Sequence, residues 1–290
     1  MSAQSPYHGL YINLDRSPGR RQNFEQQLAT LGLASLYARF PAIEGAMLST
    51  ARTALPGGET GCFFSHFRAL EAARSRNLPV HILEDDALLS RHVQPVIEDA
   101  IAGGVFDRFD ILFTDTFVNC HLGMLKSMKA AFDGVQAQKT RALRLNDLRV
   151  LDLANESFAC LTSYVVGVKS IDRILSLYQQ EIAGGLRTPV DLFIRDAVHA
   201  GKLRAACVFP FVTSFRLEEI AGSTLHEKNE KPSVMVLAVL RYSFFADRDL
   251  ATAKRYLDRA TTPTRESVDA HHRLIVQALD FVMSDGFNEF

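Results

Sequence analysis

The stretch Val80-His81-Ile82-Leu83-Glu84-Asp85-Asp86 decides how this chain is read. An apolar run leads straight into three adjacent carboxylates. Val80, Ile82 and Leu83 are strand formers, and Pro79 in front of them stops a helix from reaching in from upstream. Strand alternation sends Glu84 and Asp86 to one side and Asp85 to the other. Two like charges ~4 Å apart repel by about 4 kcal/mol at an effective dielectric of about 20. Such a cluster needs a counter-cation, a shared proton or open water. At the carboxyl end of a buried strand, where α/β sheets bind ligands, a divalent cation meets that need. On the triplet alone, the plainer reading is a strand leaving into a solvated acidic turn. The surrounding sequence shifts the weight toward a site.

Upstream, residues 9–14 read as a first strand. Ser17 is placed to cap a helix with Pro18 at its first position; Phe24, Leu28 and Leu31 share its apolar face, and Gly32 suits its end. Arg16, Arg20 and Arg21 gather where strand turns into helix, and helix amino termini attract anions. A diphosphate site and a merely solvated basic turn both remain open from these residues. Residues 36–43 read as a second strand broken at Pro41 and ending in the turn Glu44-Gly45. Residues 46–58 read as loop, and a helix opens at Glu59. Phe63, Phe67 and Leu70 form its core stripe. Ser65 and His66 lie off that stripe and, as helix neighbours, do not face each other as nucleophile and base. Cys62 and His66, four apart, could share a metal, but two ligands are too few; a packed cysteine beside a bonded histidine is the plainer reading.

Downstream, residues 93–102 read as a helix and 109–113 as a strand delivering a second carboxylate, Asp115, to a strand end. Residues 118–155 carry many lysines and arginines and read as a hydrated excursion or a flap over an anionic substrate, with a strand near 150–153. Residues 159–167 read as a strand, and Ile171, Ile174, Leu175 and Tyr178 mark a helix after it. Pro189-Val190-Asp191 opens a helix over 192–200, so Asp191 sits at a helix amino end, where a carboxylate is stabilised. That role is compatible with a general base. Residues 203–209 read as a further strand. From Ser233 the chain turns helical, through an apolar run at 234–240 and helices near 250–260 and 265–283.

Length and composition bound the answer. With 290 residues the chain holds one large α/β domain plus a small addition. A formal charge of -1 argues against nucleic acid as a partner. No stretch reaches the ~20 apolar residues of a membrane span, and residues 1–6 lack the pattern of a secretory signal. Cys62, Cys120, Cys160 and Cys207 form no C-x-x-C pair and read as reduced thiols, not as a disulfide frame or a zinc site. The expected location is therefore cytoplasmic, at or near the inner face of a membrane.

Several stretches together resemble glycosyltransferase family 25. They are Ile12-Asn13-Leu14-Asp15-Arg16-Ser17 with Arg20-Arg21, Ala42-Ile43-Glu44-Gly45, Gly58-Glu59-Thr60-Gly61-Cys62 with Ser65-His66, and Leu83-Glu84-Asp85-Asp86. Ser163-Tyr164-Val165-Val166, Pro189-Val190-Asp191, Pro210 and Gly222-Ser223-Thr224 follow in order. Residues 115–158 have no counterpart, and residues 233–290 lie outside the likeness. The resemblance implies a GT-A-like, Rossmann-type mixed sheet flanked by helices over residues 1–232, with a helical extension over 233–290. It implies transfer of a hexose, foremost galactose from UDP-galactose, with inversion onto a glycan hydroxyl in lipopolysaccharide or other cell-surface glycan synthesis. Asn13, Leu14, Asp15, Arg16, Arg20, Glu44, Gly45, Ser65 and His66 would then hold the nucleotide. Asp86, with Glu84 or Asp85, would hold Mn²⁺ (or Mg²⁺) against the diphosphate, with His226 as a further ligand to weigh. Asp191 is the expected base, with Glu59 and Asp115 as rivals. The C-terminal helices suit membrane-surface contact or homodimerisation. A metal-dependent phosphohydrolase or nucleotidyltransferase would use the same acidic tip, whereas a non-catalytic nucleotide-sugar-binding protein would keep its function without Asp86.

Overall fold

The computed structural model describes residues 5–48, 52–118, 122–136, 141–217 and 240–249, and positions 238, 251, 252, 282, 284 and 286–289 in addition. The sheet strands are β1 (His8–Asn13), β2 (Tyr37–Pro41), β3 (Val80–Glu84), β5 (Ile111–Val118), β6 (Arg149–Asp152), β7 (Phe158–Val166) and β8 (Ala205–Phe209). They form one mixed sheet in the order β2-β1-β3-β7-β5-β8-β6. β1 runs parallel to both β2 and β3, whereas β7 lies antiparallel between β3 and β5. A separate pair joins β4 (Ala87–Leu89) to β9 (Thr213–Phe215). The helices are α1 (Pro18–Thr30), α2 (Gly57–Ala73), α3 (Val93–Ala102), α4 (Val105–Arg108), α5 (Leu122–Gln136), α6 (Ile171–Gly184) and α7 (Val190–His199). This is the α/β, Rossmann-like mixed sheet flanked by helices that the sequence resemblance implies.

The alternation of β1 explains why both sheet faces are covered. Leu10 and Ile12 join a core with Phe63, Phe67 and Leu70 of α2 and with Ile174 and Tyr178 of α6. Tyr11 points the other way, into a core with Phe24 and Leu28 of α1 and Val93, Val96 and Ile97 of α3. A strand apolar on both faces belongs inside a helix-flanked parallel array. α1 carries the chain from β1 to β2 on one face, and α2 carries it from β2 back past β1 to β3 on the other. The reversal opens a crevice between the carboxyl ends of β1 and β3, the place where such sheets bind ligands. The register sets it residue by residue: Ile12 pairs with Glu84, so the acidic tip of β3 lies beside Asn13 and Leu14.

Some local expectations need adjustment. Ser17 occupies the cap position of α1 but makes no side-chain cap; its carbonyl accepts a bond from Asn13 Nδ2 at 3.2 Å instead. α2 begins two residues before Glu59, at Gly57. Part of the basic stretch expected as an excursion is helix α5, which buries Met128, Phe132 and Val135. Its Lys129 is buried as well, through an ion pair with Asp133 at 2.6 Å. Asp115 is interior to β5, at a register shift, not at its end. Phe244 packs edge-on against Phe132 and Phe209, so residues 240–249 lie on the body of the domain. The 232/233 boundary and most of the expected C-terminal helices fall outside the described residues. No described helix is long and apolar enough to cross a membrane.

His81 is fully buried in the middle of β3. Its ring bridges Tyr37 Oη (2.7 Å) and Ser163 Oγ (2.8 Å). Burial lowers its pKa to about 3. The folded state then holds one proton fewer than the unfolded chain between pH ~6.5 and that value, so this group's contribution to stability falls as pH drops. Relative to His81→Gln, wild type should lose about 1.4 kcal/mol of unfolding free energy per pH unit on acidification below ~6.5. Urea unfolding of both proteins at neutral and mildly acid pH reads this. A difference that stays constant would mean the ring is charged in the fold.

Candidate active site

The crevice is a cavity of about 170 Å³ built by five segments. β1 and the turn after it supply Ile12, Leu14 and Arg16, and the first turn of α1 supplies Arg20. The loop after β2 supplies Glu44 and Gly45, α2 supplies Cys62, Ser65 and His66, and the end of β3 supplies Glu84, Asp85 and Asp86. Ten of the sequence-derived candidates therefore meet in one place. Asn13 and Asp15 do not line it. Asn13 is buried behind the wall, where its Nδ2 donates to Asp85 Oδ2 at 2.7 Å. Arg39 holds Asn13 in turn, donating to its Oδ1 at 2.9 Å and its carbonyl at 3.0 Å. The same guanidinium pairs with the exposed Asp15. Arg16 reaches across the mouth to Glu44 Oε2 at 2.7 Å.

The three carboxylates have three different environments. Asp85 is tied by Asn13 and by Arg20 Nη1, 3.2 Å from Oδ1. Burial nevertheless holds its pKa above the ordinary value, against the pull of those two partners. Glu84 turns toward α2, where His66 Nε2 donates to its Oε1 at 3.2 Å. Burial alone would raise Glu84, but the bond and charge of His66, with Arg241 and Arg20, bring it below the usual range. Asp86 has no such support. Burial first, then the charges of Glu84 and Asp85, push it up to about 7. Its Oδ1 is buried with no hydrogen-bond partner among the described residues. Its carbonyl is pinned by Arg216 N at 2.9 Å, which fixes the turn into β4. A buried carboxylate oxygen left unpaired beside two other acids suits a hard divalent cation, which takes oxygen ligands.

The α2 side is set by close backbone contact. A Cβ on Gly61 would lie 2.5 Å from the Ile43 carbonyl, and one on Gly45 would lie 1.7 Å from that of Gly57. Ser65 ties the same contact: Oγ accepts from Ile43 N at 2.8 Å and donates to the Gly61 carbonyl at 2.7 Å. Ser65 is thus a strut as well as a lining residue. His66 is buried, stacked on Tyr164, with Nδ1 2.9 Å from the tyrosine hydroxyl.

A second cavity of about 310 Å³ adjoins the first and shares Cys62 and Glu84 with it. Asp191 and Glu59 line it together with Cys160 and Thr162. Asp191 is the first-turn acid of α7; its Oδ2 accepts from Cys160 N at 3.0 Å and its Oδ1 from Leu192 N at 2.9 Å. Cys160 has φ +77°, a conformation costly for a residue with a side chain, and its N–H serves Asp191. The sequence-based alternative that Asp115 is the base fails. Asp115 is fully buried and grips Arg241 through both oxygens. His226 lies outside the described residues.

The sequence does not mark Arg39, Arg241 or the contact of Tyr164 with His66 as parts of the site, and it offers Cys62 only as a partner of His66. Each acts through a partner far along the chain, and nothing local marks that.

Gly61→Ala should cost about 1–3 kcal/mol of stability, because backbone rather than a movable side chain stands in the way. Gly19→Ala, where an added methyl meets nothing within 4 Å, is the matched control and should be neutral or slightly stabilising. Thermal melts of both variants decide it. Equal melting temperatures would remove the close-contact account of α2.

Comparison with known proteins bears on this geometry. Residues 8–194 match the family described as glycosyltransferase family 25 (LPS biosynthesis protein), a span holding every lining residue named above. A protein of Drosophila pseudoobscura pseudoobscura named Glycosyltransferase 25 family member is 36% identical over 98 residues. That match covers 27% of this chain and 15% of the relative, so the chain spans only a small part of that protein's length. With the match running from β1 through the start of α7, the chain belongs to glycosyltransferase family 25.

Proposed function

We propose that the chain transfers a hexose, foremost galactose, from a UDP-sugar to a glycan hydroxyl with inversion, in lipopolysaccharide or other cell-surface glycan synthesis. The observation that carries this reading is the pair of adjoining cavities. One holds the acidic tip with Arg16 and Arg20, the other holds Asp191, and they meet at Glu84 and Cys62. A donor diphosphate suits the first, where two arginines and an acidic tip able to take a divalent cation face the same space. An acceptor suits the second.

Asp86 and Asp85, with Glu84, would hold Mn²⁺ or Mg²⁺, and the unpaired Asp86 Oδ1 is the donor most in need of it. Bound there, the cation would neutralise charge on the departing UDP. Asn13 and Arg20 keep Asp85 oriented, and His66 keeps Glu84 oriented, so the triplet holds its geometry despite mutual repulsion. Inversion needs a base on the face of the sugar opposite the leaving group. Asp191 is our assignment, aligned by the N–H groups of Cys160 and Leu192. We place the enzyme in the cytoplasm at the inner membrane face, working on an acceptor presented there; no described helix is long and apolar enough to cross that membrane.

The direct test is a screen of nucleotide sugars with Mn²⁺, reading nucleoside diphosphate release. UDP release from a UDP-hexose, foremost UDP-galactose, is expected; release from none of the sugars, or from another nucleotide alone, would overturn the donor assignment. Asp86→Asn should lower turnover by roughly 10³-fold, the equivalent of several kcal/mol. Its melting temperature should be equal to or above that of wild type, because a buried unpaired charge is removed. Full activity in Asp86→Asn would refute the metal role.

A further inference from the structure

A second, chemically different cluster sits in the wall between the two cavities. Cys62 and His66 lie four apart on α2 and so share a face. The fold brings Glu84 from the end of β3 against both. His66 Nε2 is 3.2 Å from Glu84 Oε1, and Cys62 Sγ is 3.9 Å from the same oxygen. The sulfur, the imidazole nitrogen and the carboxylate oxygen all lie within 4.8 Å of one another. A tetrahedral zinc ion with N/O ligands at about 2.0–2.1 Å and sulfur at about 2.3 Å puts its ligand atoms roughly 3.3–3.6 Å apart. The cluster is therefore within about 1 Å of that shape before any metal enters. From these positions we infer that Cys62, His66 and Glu84 form a site for a thiophilic divalent ion of the Zn²⁺ type.

Three protein ligands leave a fourth position. Cys62 and Glu84 border both cavities, so that position is open to water or to a bound molecule. The ligand set separates this site from the acidic tip. Thiolate and imidazole suit zinc or cobalt, whereas carboxylates alone suit manganese or magnesium. The outer partner is also in place. Without metal, His66 Nε2 donates to Glu84 and Nδ1 takes a bond from the Tyr164 hydroxyl. On binding, the Cys62 thiol gives its proton to solvent, the imidazole proton sits on Nδ1, and the Tyr164 oxygen accepts it. A ligating histidine held by such a partner keeps its ring orientation. Because Glu84 belongs to both groups, zinc draws one carboxylate away from the acidic tip. Zinc bound there would therefore compete with a cation at the acidic tip for Glu84.

The site is tested without any sugar nucleotide, so its failure is separate from failure of the transferase reading. The full chain, stripped by chelator and given one equivalent of Zn²⁺, is examined by zinc X-ray absorption. The expected result is one sulfur neighbour at about 2.3 Å with N/O neighbours at about 2.0–2.1 Å. Co²⁺ in place of Zn²⁺ should give a thiolate-to-metal charge-transfer band that Cys62→Ser loses and Cys160→Ser keeps. A zinc shell of oxygen and nitrogen only, or a thiolate band surviving in Cys62→Ser, would overturn the assignment. A wild-type zinc shell without sulfur overturns the assignment even if a variant fails to fold.

Discussion

The hydrogen bond from Asn13 to Asp85 is the interaction on which the rest depends. It joins the ends of β1 and β3 at 2.7 Å, across 72 residues of sequence. Three carboxylates in a row repel, and a chain end carrying them would swing into water unless something held it. Asn13 holds the middle one, Arg20 assists, and Arg39 holds Asn13. Parallel pairing of β1 with β3 makes this bond possible, and the reversal of strand order around β1 makes the space in front of it. The site is thus a consequence of register, not an addition to the fold.

From that anchor the three acids divide their work. Asp85 is bonded from the β1 side and Glu84 from the α2 side, which leaves Asp86 with only the charges of Arg20 and Arg241 against burial and its two acidic neighbours, and its pKa is pushed up to about 7. The protein tolerates at Asp86 a burial cost that a core position would not show. Such a cost, placed in the wall of a cavity, is the physical mark of a ligand site. The proposed transfer reaction uses this asymmetry. In that proposal the unpaired Asp86 oxygen would accept a cation, and the two arginines at the same cavity would meet the phosphates.

Much of this was legible in the chain. The strand running into Glu84-Asp85-Asp86 announced itself because an apolar run with a proline before it and acids after it has few other solutions. Arg16 and Arg20 stood out by their place at a helix start, whereas Glu44, Gly45, Ser65 and His66 came with the family resemblance, and all six converge. Asn13 and Asp15 were placed in the right neighbourhood but do not line the cavity: strand alternation turns Asn13 behind the wall, and Asp15, past the end of β1, is exposed and pairs with Arg39. Residues 122–136 read as an excursion because their lysines masked the apolar face of Met128, Phe132 and Val135. Asp115 looked like a strand-end acid because its partner, Arg241, lies 126 residues away, beyond any local signal. Likewise Cys62 and His66 looked two ligands short until the sheet delivered Glu84.

The central claim is that the acidic tip of β3 takes a divalent cation together with a uridine diphosphate group. The most direct measurement is the electron paramagnetic resonance signal of free Mn²⁺ during titration with the protein. The account predicts that wild type with UDP depletes the free-ion signal in a one-to-one ratio and that Asp86→Asn does not. A free Mn²⁺ signal unchanged by wild type and UDP together would contradict it.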